Sequence, residues 1–448
     1  MPIYGADTIA AYNADSEESL PPHVFAIARD AYRALLRSGT SQSILVTGES
    51  GAGKTETTKH IIRYFAWVSR QQSRNRRRRH HAGESGGRFD DDDDNDDDGD
   101  DNDSGDDSGD DSVDGDERSV QRFVLQSTPL LEAFGNARTA KNDNSSRFGK
   151  FIRILFEGAT GAMQGAAVTT YLLEKSRVVL QAPGERNYHI FYQLMAGCAD
   201  VADMLLVDPA TGDLHPFRYL NGELPTVQDA RAFARTQHAL RTVDVSVTEQ
   251  RLVFRVLAGL LHLGEVHFGG GGGGGGAGRR AGDRAVTISN PEAVASAAAL
   301  LDVKEDVLER TLLWRMVVLP DEWVATPIVS AAACAANRDT LAKAVYARLF
   351  DWILGRVNEA MGGWQKASTS ESEQGNPGGL LHIGVLDIYG FEVFEHNSFE
   401  QVCWIVACWE VLLAAGWAGC GGGVTENRGM GVTGMTWCGD GKRMTLAL

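Results

Sequence analysis

Cysteine, proline and long apolar runs are all scarce in this chain. Its six cysteines are spread over 448 residues, and the four nearest one another, Cys403, Cys408, Cys420 and Cys438, have no metal-ligand spacing. A disulfide scaffold and a zinc module are thereby excluded, and a reducing setting is expected. The longest apolar stretch, Val402 to Trp417, is short for a bilayer and is broken by Glu410, so no membrane span is expected. The opening MPIYGADTIAAYN has neither a basic start nor an apolar core, so no secretory signal is expected and the protein reads as cytoplasmic.

Charge is present in quantity but is badly distributed. Asp90 to Glu117 alone holds 17 Asp and one Glu, and removing those charges takes the formal net charge from -17 to +1. Without the arginines at Arg70, Arg74 and Arg76 to Arg79 as well, the remainder is mildly acidic, and whole-chain charge says little about partners. No nucleic-acid partner is expected. The run Arg70 to Ser119, basic and then almost pure Asp, Gly, Ser and Asn, cannot bury enough apolar area to offset its ordering entropy and is expected to be disordered. Its plain reading is a solvated insertion; a polyanion tethered there could also compete for Mg2+. At 448 residues the chain suits two or three domains, or one large domain with insertions.

The rest is organised around Ser43 to Glu56, SILVTGESGAGKTE: an apolar strand, a glycine-rich turn and a helix start. It fits Gly-x-x-x-x-Gly-Lys-Ser/Thr at Gly48, Gly53, Lys54 and Thr55. Gly48, Gly51 and Gly53 permit positive φ and leave no Cβ in the way, so backbone N–H groups can converge on phosphate oxygens. Lys54 would supply a point charge, Thr55 a hydroxyl for Mg2+, and the helix N-terminus a partial positive charge. A glycine-rich surface turn before a helix is the bland alternative.

Two further stretches carry chemistry. KNDNSSRFGKF, Lys141 to Phe151, packs polar side chains between a helix through Leu130, Leu131 and Phe134 and a strand pair, Phe151 to Phe156 and Ala166 to Tyr171. Buried, these groups need a polar ligand; otherwise they form a loop of hydrogen-bonded turns. In LHIGVLDIYGFEVFEHNSFEQ, Ile383 to Leu386 is an apolar strand ending at Asp387, with Gly390 and Glu392 just beyond. An Asp at the carboxyl end of a buried strand is where a phosphate-loop protein holds its Mg2+ shell. Elsewhere a first helix is expected over Leu20 to Gly39, a helix from the loop to about Val68, and mainly helix onward to about Gly362. Asn290 and Pro291 read as a cap and first-turn pair, Gly269 to Gly276 as a linker, and His262 and His267 as ordinary helix-edge histidines.

Together the three stretches resemble the myosin motor domain. GESGAGKTE is similar to its phosphate loop, NDNSSRFGKF to its switch I, and DIYGFEVFEHNSFEQ to its switch II and relay start. LPPHVFAIARDAY, YLLEKSRVV, GERNYHIFYQL and LAKAVYARLFDWI are similar too, in the same order, and kinesins, which share NxxSSR, do not continue FGKF and GFE. The resemblance implies an α/β P-loop NTPase fold with a mixed central (transducer) sheet flanked by helices, here incomplete, and a mainly helical upper actin-cleft subdomain. It divides the chain into a partial motor domain over 1–403 and a non-homologous tail over 404–448. Within the motor part it sets the phosphate-loop region at 1–69, the insertion at 70–119, switch I and the transducer strands at 120–171, the helical part at 172–380, and switch II with the relay start at 381–403.

The resemblance also implies roles. ATP would be held by Tyr4, Gly48, Glu49, Ser50, Gly51, Ala52, Gly53, Lys54, Thr55, Glu56 and Asn142. Mg2+ would take the hydroxyls of Thr55 and Ser146, with Asp387 behind them. Ser145, Arg147, Gly390 and Glu392 would be catalytic, Arg147 pairing with Glu392 when the switches close. Glu322 falls near an actin-contacting loop position. Actin filaments would be the partner, light chains or calmodulin would belong to a fuller form, and the location would be the cytoskeleton. Cys403 to Leu448 shows no helical or strand period, and the converter and lever have no counterpart here, so motor output is not expected of these residues alone. A phosphate-loop module that binds nucleotide without turnover, or an inactive fragment, is the alternative. With four transducer strands recognisable, the phosphate-loop strand is expected to have an open apolar edge and the chain to be poorly soluble.

Overall fold

The structure, a computed structural model, describes residues 3–14, 20–48, 51–84, 127–197, 216–270, 286–318, 323–362, 380–387, 425–427, 434–439 and 442–447. Glu49, Ser50, Glu322, Gly390 and Glu392, with 85–119 of the insertion, lie outside the described residues. The strands are β1 (Gln42–Val46), β2 (Asn136–Ala137), β3 (Ser145–Ser146), β4 (Gly149–Glu157), β5 (Met163–Tyr171), β6 (Phe268–Gly269) and β7 (Thr287–Ile288). They continue with β8 (Trp314–Val318), β9 (Trp323–Pro327), β10 (Leu380–Asp387), β11 (Thr425–Asn427), β12 (Gly434–Gly439) and β13 (Lys442–Ala447).

A mixed sheet of seven strands, in the order β11-β12-β13-β1-β10-β4-β5, forms the centre. β1 is parallel to β10, with Val46 opposite Asp387, and β4 runs antiparallel to both β10 and β5. Ile44, Leu45 and Val46 are all buried, as a strand covered on both faces requires. Gly384 of β10 lies under the Phe151 ring of β4, where an added Cβ would come within 2.2 Å of it, so the cross-strand aromatic needs the glycine.

Two expectations are corrected at the other side of β1. That edge is not open: β13 pairs with it in parallel, Ser43 opposite Met444 through Val46 opposite Ala447. The residues doing so belong to the tail that was expected to lack strand structure, and β12 and β11 extend it antiparallel. A strand that ends with unpaired N–H and C=O groups recruits whatever extended chain is near, and intrachain pairing satisfies them regardless of the recruit's sequence period.

Helices cover the sheet. α1 (Ala6–Asn13), unforeseen in sequence, precedes α2 (Val24–Ser38), which starts later than expected because His23 caps it, its ring Nδ1 accepting from Phe25 N at 3.1 Å. Gly39 ends α2 in the left-handed region at φ 61°. α3 (Lys54–Glu84) buries Ile61, Ile62, Tyr64, Phe65, Ala66 and Val68. It then continues through the arginine run, so Arg70 to Glu84, expected as disordered insertion, is helical. Arginine is a good helix former, and cations suit the C-terminal half of a helix.

α4, helical over 127–135, and α5 (His189–Ala196) flank the second motif. Further helices span Val227–Thr242, Val247–Gly264, Pro291–Leu301, Glu305–Leu313 and Ala331–Ala360. Asn290 precedes Pro291 as expected but makes no side-chain cap; its amide donates to Glu265 O at 2.8 Å and its Oδ1 accepts from His267 N at 2.8 Å. His262 lies in the last turn of its helix, buried and edge-on to Phe217. The long helix Ala331–Ala360 closes the β5 edge, where the buried Asn358 side chain accepts from Val168 N at 2.7 Å and donates to Val168 O at 2.9 Å. Its Tyr346 hydroxyl donates to Phe134 O of α4 at 2.7 Å.

Candidate functional site

The loop after β1 owes its shape to glycine. Gly51 and Gly53 take φ of 84° and 85°, in the left-handed region, and a Cβ on Gly48 would press on Ala52 at 3.3 Å. The first helical bond of α3 runs from Thr57 N to Gly53 O at 2.9 Å, which leaves the first-turn N–H groups facing the loop. Lys54 Nζ donates to Gly48 O at 2.7 Å and so bridges the two ends of the loop. Glu56 points away to Lys59, 2.7 Å, whose hydrogen bond holds the Glu56 carboxyl below its usual range. Tyr4 lies at the side of α3, its ring stacked on His60 with centroids 3.7 Å apart.

The end of β10 reaches the same place. Thr55 Oγ1 donates to Asp387 Oδ2 at 3.2 Å, joining residues 332 positions apart. On the other side, Lys150 Nζ stands 3.0 Å from the same oxygen, the lysine partly buried and the aspartate buried. Lys150 faces Asp387 across the β4–β10 ladder, a position no motif argument singled out. The signal for it in sequence is weak, because β4 carries Arg153 and Glu157 as well as this lysine. Thr55, Glu132, Asn136, Ser146 and Lys150 line a common pocket.

The second motif is a clamped loop. β2 and β3 pair at its base, Asn136 opposite Ser146. Asn142 Oδ1 accepts from Asn144 N at 3.0 Å, Asn142 O accepts from Thr139 N at 2.9 Å, and Asn136 Nδ2 donates to Asn144 Oδ1 at 3.0 Å. Of the two sequence readings, the structure shows the loop of hydrogen-bonded turns; it lies beside the phosphate loop, with Asn142 Nδ2 3.7 Å from where a Cβ on Gly51 would stand. Ser145 and Arg147 are buried, Arg147 Nη1 donating to Ser145 Oγ at 3.1 Å; the Ser146 hydroxyl donates to Phe148 O at 3.0 Å.

Behind the loop runs a chain of charges, Arg147, Arg177 and Glu185 buried and Glu174 partly so. Arg147 Nε donates to Glu174 Oε2 at 2.7 Å, Arg177 Nε to the same oxygen at 2.8 Å, and Arg177 Nη2 to Glu185 Oε2 at 2.9 Å. Burial disfavours the Glu174 carboxylate, but the Arg147 and Arg177 guanidiniums outweigh it and hold its pKa below the usual range. His189 Nε2 is 3.1 Å from Asn144 Oδ1, and burial, with Arg186 adding to it, brings its imidazole down to about 4.

The donor set fits a nucleotide with a hard cation. Thr55 and Ser146 hydroxyls line one pocket with the Asp387 carboxylate in contact with Thr55, a type of oxygen set that suits Mg2+. Among the described residues no group of three His, Cys, Asp or Glu could cage a metal, so an ion here would depend on hydroxyls and the ligand's own phosphates.

Comparison with known proteins agrees with this arrangement. The family model for the myosin head (motor domain) matches residues 1–412, somewhat further than the resemblance noted in sequence. Over 408 residues the chain is 40% identical to Myosin-15 of Arabidopsis thaliana, covering 90% of this chain and 22% of that protein. It is 39% identical over 407 residues to Protein OPAQUE1 of Zea mays, covering 90% and 22%. It is 38% identical over 408 residues to Myosin-J heavy chain of Dictyostelium discoideum, covering 90% and 17%. The chain spans about a fifth of the length of these relatives. With most of its length matched by the family model and its phosphate loop, second motif and β10 end gathered on one mixed sheet, this chain belongs to the myosin head (motor domain) family.

Proposed function

We propose that this chain binds ATP with Mg2+ and hydrolyses it, as the nucleotide-handling part of an actin-based cytoskeletal motor. The observation that carries the reading is the hydrogen bond from Thr55 to Asp387, which brings the end of the phosphate loop and the end of β10 onto one point. ATP would supply the phosphoanhydride bond, and Mg2+ would neutralise charge on its phosphate oxygens.

The chain's own groups divide the work. Gly48 to Thr55 would cradle phosphates with backbone N–H groups, Lys54 adding a charge once released from Gly48 O. Thr55 and Ser146 would hold the ion, with Asp387 orienting Thr55. Asn142, beside Gly51, would contact phosphate. Ser145, fixed by Arg147, would hold the attacking water, and the buried Arg147 would stabilise charge that develops as the bond breaks. Gly390 and Glu392 would complete the site from the segment after β10.

Fluorescent ATP titration of the 448-residue chain with and without Mg2+ tests the binding step, and cosedimentation with actin filaments with and without ATP tests the motor assignment. Mg2+-dependent binding and ATP-sensitive cosedimentation are expected. Nucleotide binding indifferent to Mg2+ would contradict the site as built. Binding without turnover would favour the non-catalytic module.

A further inference from the structure

Glu174 holds Arg147 in two ways at once. Its backbone N–H donates to Arg147 O at 3.0 Å, and its Oε2 accepts from Arg147 Nε at 2.7 Å. The same residue is itself fixed: Tyr188 Oη donates to Glu174 O at 2.8 Å, and Arg177 Nε donates to Oε2 at 2.8 Å. Tyr188 stacks on Tyr346 with centroids 5.0 Å apart, and Tyr346 is anchored to α4. Arg177 is held in turn by Glu185 and by Arg186 O at 3.0 Å. A guanidinium on a flexible stem is thus mounted on a support with little freedom.

We infer that Glu174 is the positioning residue of this site: it orients the Arg147 guanidinium, and through Arg147 Nη1 the Ser145 hydroxyl, toward the phosphate-binding side of the loop. Gripping Arg147 through Nε leaves Nη1 to donate to Ser145 Oγ, so the contact constrains the rotation of the planar fork that holds Ser145. Supporting contacts of this kind matter because a misplacement of an ångström at a reacting group is costly in rate. The inference rests on the ATPase reading for its effect on rate, but its structural half can be read without turnover.

Glu174→Gln, which keeps shape and one acceptor oxygen but removes the charge, tests it in the full chain. Two measurements are needed. In arginine side-chain NMR, the Arg147 Nε proton is expected to be protected in the wild-type chain and to exchange at least about tenfold faster in the variant, because a charged acceptor has been replaced by a neutral one. Single-turnover hydrolysis of Mg·ATP is expected to slow by roughly tenfold to a hundredfold, with the dissociation constant for nucleotide within about threefold of wild type. A purely structural role would instead lower the melting temperature and leave the turnover of folded protein alone. Unchanged Nε exchange, or faster exchange with unchanged turnover, overturns the inference. Failure of the wild-type chain to hydrolyse ATP overturns the ATPase reading, while Nε exchange still decides whether Glu174 anchors Arg147. Should Glu174→Gln not fold, Glu174→Asp, which sets the charge back by one methylene, is expected to change both readouts in the same direction.

Discussion

The phosphate loop and the loop over Asn142 to Arg147 lie side by side and are built on opposite principles. The first is held mainly by its own residues: three glycines with positive φ, Gly48, Gly51 and Gly53, a helix N-terminus, and a bond from Lys54 Nζ to Gly48 O. The second is held from outside, by Asn136, Glu174 and His189, which lie 8, 27 and 45 positions from their partners. A local architecture tolerates little change of residue, and its distant tie, from Thr55 to Asp387, comes after the glycines rather than among them. A supported one depends on every strut, and on the proposed reading its catalytic groups can be disabled without touching those proposed to bind. The two loops should therefore fail differently, one in affinity and the other in rate.

The largest separation of the two is expected from Arg147→Ala. Removing the buried guanidinium should lower single-turnover hydrolysis on the order of a thousandfold while sparing nucleotide affinity. Equal turnover would defeat its role and blur the contrast. The mirror experiment is Gly53→Val, which puts a β-branched residue at φ 85°. The strain, about 1–3 kcal/mol, should appear as roughly a tenfold or greater loss of ATP affinity in a fluorescence titration, with the Arg147–Glu174 pair intact.

The smallest effect sharpens the comparison through pH. The His189 imidazole lies at about 4 in the folded chain, below its ordinary 6.5. Between those values the unfolded chain binds more protons than the folded one, so stability falls as pH drops from about 6.5 to about 4 and the effect levels off below. Glu174, also depressed, loses its contribution only lower, as pH falls through its own folded value. His189→Asn should flatten the urea-midpoint profile in the upper window alone, and an unchanged profile there would remove His189 from the account.

How much was legible in sequence follows the same division. β1, β4, β5 and β10 were readable because their apolar runs are local, and Gly39 marked the end of α2 for the same reason. The phosphate loop was readable because its glycines are the mechanism. Lys150 and Glu174 were not singled out, since what matters about them is a partner across the sheet or 27 residues away. Asn358, which closes the β5 edge from a helix 190 positions on, has no local sign at all. The length of α3 was misjudged because composition was weighed for burial alone, whereas an arginine run can continue a helix already nucleated by its buried turns. The strands after 424 were missed because what holds them is backbone pairing, β13 to β1 and then β12 and β11 in turn, and backbone pairing leaves no period to read.

Hydrolysis by the unmodified chain is the most direct measure of the central claim that Thr55, Asp387 and the loop clamped by Glu174 form one working site. The 448-residue chain would be mixed with a substoichiometric amount of ATP, with Mg2+ or with EDTA, and phosphate formation followed over a single turnover. The account predicts Mg2+-dependent phosphate formation that disappears in Arg147→Ala. Tight, Mg2+-dependent ATP binding with no phosphate formed by the folded wild-type chain would contradict it.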